Sequence, residues 1–135
     1  MGMDRDLNYI IEGWDYDPEE FLNNVKKIQG RDGKKKIQLR TDLGLYQMEG
    51  EGRPDGKKPG GKESILDYLL FKAREHEGKY GEVEGTFKLT DTDIGKLYRE
   101  AIQYYHRRIC FFALKEFEGA RKDAEHTLEL MNVIK

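Results

Sequence analysis

Cysteine is almost missing from this chain: Cys110 is the only one in 135 residues. A single thiol excludes an internal disulfide and a cysteine-based metal site, and it fits a reducing cytoplasm. Long apolar runs are missing too. Tyr68–Phe71 and Ile109–Leu114 are the longest, far short of the ~20 residues that a membrane-spanning helix needs. No charged-then-apolar leader opens the sequence, because Asp4, Arg5 and Asp6 precede the first apolar stretch. Proline occurs three times, twice within one short stretch. Net charge is small, −2 at pH 7.

What is present points to a charged surface around a modest core. Hydrophobic and charged residues each make up 37%, and aromatics 11%, eight of them tyrosine. That aromatic content argues against disorder. A chain of this length suits a single domain, 1–135, and buries roughly two thirds of its unfolded surface.

The charge is unevenly spread. Residues 1–25 carry seven acids and one base, whereas residues 26–62 carry eleven bases and five acids. The basic segment could attract phosphate, or it could complement the acidic segment within the fold.

Local patterns predict an α+β protein in which helices dominate. Asp17-Pro18-Glu19-Glu20 has the chemistry of a helix start, and Phe21, Leu22, Val25 and Ile28 recur at helical spacing before Gly30. A helix over 18–29 is therefore expected. Over 36–49, Ile37, Leu39, Thr41, Leu43 and Leu45 alternate with polar residues or glycine. That favours an extended pair bent near Gly44, with a helical face of Leu39, Leu43 and Tyr46 as the alternative. Residues 50–61 hold five glycines and two prolines and read as a loop. The part from 63 to 135 is helical in pattern. Ser64 and Asp67 open one helix, which Gly78 would end. Thr90, Asp91 and Asp93 open a second, with the stripe Ile94, Leu97, Tyr98, Ala101, Ile102, Tyr105, Ile109 and Phe112. A third carries Phe117, Ala120, Ala124, Leu128, Met131 and Ile134. Only Lys115-Glu116 separates the last two, which predicts an antiparallel hairpin over 92–134.

The stretch Ala101–Met131 resembles a tetratricopeptide repeat, with Tyr104, Phe111, Phe117, Ala120, Leu128 and Leu130 at matching spacing. The resemblance implies close helix crossing at Ala120 and an aromatic plug, Phe117, at the turn. Arg108 stands where the repeat has a small residue, Thr127 and Asn132 also depart from it, and no second copy follows. The resemblance thus implies a lone hairpin, either inside a mixed domain or docking onto another chain. The Lys, Asn and Arg clamp by which some members hold a C-terminal carboxylate is replaced by Tyr105, His106, Ile109 and Phe112. Glu116-Phe117-Glu118 with Ala120 is also similar, more weakly, to the UVR motif of nucleotide-excision-repair subunits. Both resemblances imply recognition of protein by helices. The run Lys36–Gly56 resembles uncharacterised bacterial proteins and brings no activity with it.

Chemistry-bearing constellations are few. Gly56–Lys62 has the spacing of a phosphate-binding P-loop, but Glu63 replaces the magnesium-binding hydroxyl and no buried strand leads into the loop. Arg53, Lys57, Lys58 and Lys62 nevertheless form a candidate anion-binding group. His76, His106 and His126 lie on separate segments, so no metal site is expected, and no cofactor. Ser64 lies in no nucleophile signature, and Cys110 sits in an apolar stripe. No catalytic constellation is found. Tyr98, Tyr105, His106, Arg108 and Phe112 form the candidate partner-binding surface, since tyrosine and arginine anchor interfaces. The expected function is a small cytoplasmic adaptor that binds a protein partner, or itself, through the C-terminal hairpin, without a membrane. The alternative is a nucleic-acid-binding or regulatory protein using 26–62.

Overall fold

A computed structural model describes residues 6–80 and 87–135. A short helix, α1 (Asn8–Glu12), comes first. A single 3-10 turn at Phe21–Asn24 then leads into three strands, β1 (Val25–Gln29), β2 (Lys35–Thr41) and β3 (Gly44–Glu49). They form one antiparallel sheet in the order β1-β2-β3. Helices α2 (Ile65–Tyr80), α3 (Asp91–Ala113) and α4 (Phe117–Ile134) follow. The protein is thus α+β, with more helix than strand.

The alternation in β2 does what period 2 requires. Ile37 and Leu39 face the helices and are buried, and they stand opposite Met48 and Val25 on the flanking strands. On the other face Lys36 pairs with Glu49 and Gln38 with Gln47 across the ladder. The extended pair expected over 36–49 is present, and Asp42-Leu43 forms its two-residue turn.

The helix expected over 18–29 does not form. Asp17 accepts the Glu19 N–H in a local turn, and the Asn24 amide donates to the Asp17 carbonyl. Two asparagines, 23 and 24, compete with helical hydrogen bonding. Val25–Gln29 gains a full register with Leu39–Lys35 instead. Non-local pairing outweighs a weak helical pattern. Gly30 serves a hairpin turn, not a helix stop, and its N–H donates to the Lys34 carbonyl.

The later helices follow their signals more closely. Ser64 Oγ accepts the Asp67 N–H at the start of α2. Thr90 and Asp93 form a reciprocal capping box at the start of α3. Gly78 does not end α2, which runs on to Tyr80. A glycine in an exposed turn costs about 1 kcal/mol relative to alanine and is tolerated there. The connector expected around 83–89 lies mostly outside the described residues.

Lys115, with φ +62, turns the chain between α3 and α4. The pairs Phe111/Gly119, Arg107/Asp123 and Glu100/His126 show the two helices running antiparallel. The faces differ from the expected stripes. Leu97, Ala101, Tyr104, Cys110 and Phe111 are the buried apolar residues of α3, while Tyr98, Ile102, Tyr105 and Phe112 are exposed. On α4, Ala120 and Leu130 are buried, whereas Phe117, Leu128 and Met131 are not. Phe117 therefore does not plug the turn. The reason is polar: Glu100, Arg107 and Asp123 occupy the inner face and are buried there, so hydrophobicity alone points to the wrong side.

Two apolar clusters result. One joins Val25, Ile37, Leu39 and Met48 of the sheet to Cys110, Phe111 and Ala120. The other joins Ile65, Leu66 and Leu69 of α2 to Leu97, Ala101 and Leu130. The 23 residues of α3, about 34 Å long, take part in both.

Candidate functional site

Between the two clusters runs a belt of buried charge. Glu100 is fully buried. One of its carboxylate oxygens accepts the Ile65 N–H at 2.7 Å and the other the Leu66 N–H at 3.2 Å. It therefore sits at the positive end of α2. The Arg53 guanidinium stands 3.1 Å from the same carboxylate, and His126 Nε2 lies 3.0 Å away. The His126 ring stacks on Tyr104 at 3.9 Å. Burial, and then the Glu100 carboxylate, push the Tyr104 phenol above its ordinary pKa. One turn further on, Arg107 binds Asp123 with two hydrogen bonds of 2.9 and 2.7 Å. It also donates to the Glu49 carbonyl at 3.0 Å. The belt thus ties the glycine-rich loop, the sheet and three helices together. Both carboxylates in it, Glu100 and Asp123, are partnered within the chain.

Sequence reasoning missed Glu100, Arg107, Asp123, Tyr104 and His126 as a group. Their signal was charge at helical spacing on the face toward the partner helix (100, 104 and 107 on α3; 123 and 126 on α4), which apolar periodicity alone passes over. Among the described residues no three His, Cys, Asp or Glu side chains cluster to hold a metal ion. Cys110 is buried, and burial pushes its thiol up to about 12, so it acts as a small hydrophobe.

The candidate partner-binding residues divide between two places. Tyr98, Tyr105 and Phe112 lie on the solvent face of α3, seven residues apart, with Ile102 and Ile109 between them. Ile102 is 55% and Phe112 65% exposed. Spacings of four, three, four and three place all five on one seam of the kind that receives another helix. Arg108 borders this seam, its guanidinium 5.4 Å from the Tyr105 ring centre. Around Phe112 the seam widens into a groove of about 610 Å³, bounded by Phe21, Leu22, Arg108, Phe117 and Ala124. His106 turns away from the groove. It packs edge-on against Tyr46 at 5.1 Å and lines a separate hollow with Gln47 and Gln103.

The four candidate anion-binding residues also divide. Arg53 is engaged by Glu100. Lys58 pairs with Glu63 at 3.1 Å, and the Lys62 ammonium lies 4.0 Å over the Phe71 ring. Lys57 forms no ion pair among the described residues. The glycine run does not make a phosphate cradle. Gly61 and Lys62 donate their N–H groups to the carbonyls of Lys58 and Pro59, and Gly60, at φ +56, packs under the Tyr68 ring.

No helix among the described residues is long and apolar enough to cross a membrane. No protein-family model, curated protein or solved structure matches this chain.

Proposed function

We propose that this protein is an interaction module whose α3 seam receives one amphipathic helix of a partner protein. The observation that carries the reading is the heptad-spaced stripe on α3, in which Tyr98, Ile102, Tyr105 and Phe112 are exposed and Ile109 is half-buried against the core, continuous with the apolar groove at Phe112. Apolar residues repeating every 3.5 positions match a helical occupant, since they keep one seam facing it. Such a helix would lay anchors at i, i+3 or i+4, and i+7 into the stripe.

Charge selects between occupants. Arg99 and Arg108 border the stripe, and neither forms an ion pair among the described residues. A second copy would bring like charges to the seam. A partner helix with acidic flanks would complement them. In this reading the α3–α4 pair acts as a tetratricopeptide-like hairpin with its exposed face turned outward, and the single buried thiol suits a cytoplasmic setting. The nucleic-acid alternative has less support. Lys27, Lys35, Lys36, Arg53 and Lys58 all hold carboxylates of the chain itself.

The test is site-specific photocrosslinking in the source cell, with the crosslinker at position 105 and, as control, at Leu43 on the far hairpin. One stoichiometric protein is expected from position 105 and none from position 43. Ile102→Glu and Arg108→Glu should each weaken its binding at least about tenfold, and the purified chain should sediment as a monomer. Crosslinks from position 105 to a second copy alone, or equal capture from both positions, overturn the proposal.

A further inference from the structure

The turn before α2 and the first part of α3 line a further, open cavity of about 400 Å³, apart from the apolar groove at Phe112. Its polar lining is all cationic: Arg53, Lys57 and Lys58 from the loop, Lys96 and Arg99 from α3. Pro59 and Ile65 supply an apolar wall. No carboxylate lines it.

Two of the five cations are compensated, Arg53 by buried Glu100 and Lys58 by exposed Glu63. Lys57, Lys96 and Arg99 form no ion pair among the described residues. Three cations without ion pairs thus line one concavity, where a bound anion would neutralise them. Lys96 and Arg99 stand three apart on α3 and so present to the same side. Elsewhere in the basic segment Lys27, Lys35 and Lys36 bind carboxylates of the chain, and Lys26 and Lys62 lie over the rings of Trp14 and Phe71.

Backbone groups play no part in this. At the start of α2 the N–H groups of Ile65 and Leu66 go to Glu100 and that of Asp67 to Ser64. Recognition rests on side-chain cations, which bind phosphate oxygens through charge-assisted hydrogen bonds. The volume suits one or two phosphate groups, and the Pro59–Ile65 wall suits the organic part of an ester.

We infer that this cavity binds a small, multiply charged phosphate, either a phosphate ester or inorganic pyrophosphate, between the glycine-rich loop and α3. Lys57 and Lys96, both exposed, can be replaced without touching the buried belt.

Isothermal calorimetry without metal ions tests the inference, titrating inorganic phosphate, pyrophosphate, a nucleoside diphosphate and a single-stranded oligonucleotide. Saturable 1:1 binding of pyrophosphate or of the nucleoside diphosphate is expected, tighter than that of inorganic phosphate. Preference for the nucleoside diphosphate would identify an ester as the ligand, and preference for pyrophosphate the inorganic source. The Lys57→Ala/Lys96→Ala variant, with an unchanged melting temperature, should bind at least about tenfold more weakly. Lys34→Ala, outside the cavity, should bind as the wild type does. Absence of saturable heat, or equal binding by wild type and double variant, overturns the inference. So does oligonucleotide binding that strengthens with length and exceeds that of the small phosphates, because it would assign the cations to nucleic acid.

Discussion

Arg107 and Asp123 show what a buried ion pair does in a small protein. Each is about 3% exposed, so each has lost most of its hydration. The bidentate geometry, the third bond to the Glu49 carbonyl and the stacking of the guanidinium near the Tyr104 and Phe111 rings offset that loss. Removing one partner strands the other. Asp123→Asn is therefore expected to lower the unfolding free energy by about 3–5 kcal/mol. Replacing both, as Arg107→Met/Asp123→Leu, should recover most of that loss, because no buried charge is then left unpaired. Urea titrations of the single and double variants read this directly. Equal losses in both would mean that the pair itself, rather than the stranded charge, carries the stability. The belt was hard to read in the sequence for the same reason that it is stable. A charged residue on a helix is normally assigned to solvent, and Glu100 and Arg107 are buried only because partners from the α2 start, β3 and α4 converge on them.

At the scale of elements, signals that act within a few residues were legible and those that depend on distant partners were not. Thr90 and Asp93 satisfy each other within one turn, and the β2–β3 hairpin closes through a two-residue turn. By contrast, β1 exists because Val25 finds Leu39, which nothing between Asp17 and Gly30 announces. The candidate surface was legible in part. Tyr98, Tyr105 and Phe112 do share one exposed face, but the apolar stripe that contains them also includes Leu97 and Ala101, which are buried. The approach of α3 and α4 depends on Gly119 as well as Ala120. A Cβ at Gly119 would stand 2.9 Å from the ring of Phe111, which is 3% exposed and has nowhere to go. Gly119→Ala should therefore destabilise the fold. Overpacking costs about 1–3 kcal/mol, and the gain in helix propensity, about 1 kcal/mol, offsets only part of it. Gly95→Ala is the internal control. A Cβ there meets nothing within 4 Å, so only the propensity gain remains and the melting temperature should rise.

Across the whole molecule, the uneven charge of the sequence is resolved in a way that segment totals do not predict. Among the described residues, none of the acids between residues 6 and 20 forms an ion pair. Five bases of the basic segment are held by carboxylates within it, before α2, in α3 or at the α3–α4 turn: Lys36 by Asp32 and Glu49, Lys58 by Glu63, Arg53 by Glu100, and Lys27 and Lys35 by Glu116. Glu116, at the α3–α4 turn, thereby fastens the helical hairpin to the inner face of the sheet. Burial raises its pKa, but the hydrogen bonds from Lys35 and Lys27 outweigh that, and the net shift is downward from 4.5. Asp32 is shifted downward from 3.8, mainly by its hydrogen bond from Lys36. A carboxyl group whose pKa is lower in the folded state binds protons more tightly when unfolded. Its contribution to stability is complete above the unfolded value and disappears as the pH falls through the folded one. Stability should therefore be flat with respect to these two groups at neutral pH and decline as the pH drops through 4.5 and then 3.8. Glu116→Gln should cost about 0.5–1 kcal/mol at pH 7 and nothing once the wild-type carboxyl is protonated, so the two urea-midpoint curves should converge in acid. Curves that stayed parallel down to pH 3 would show that the Glu116 carboxylate does not hold the hairpin to the sheet by charge.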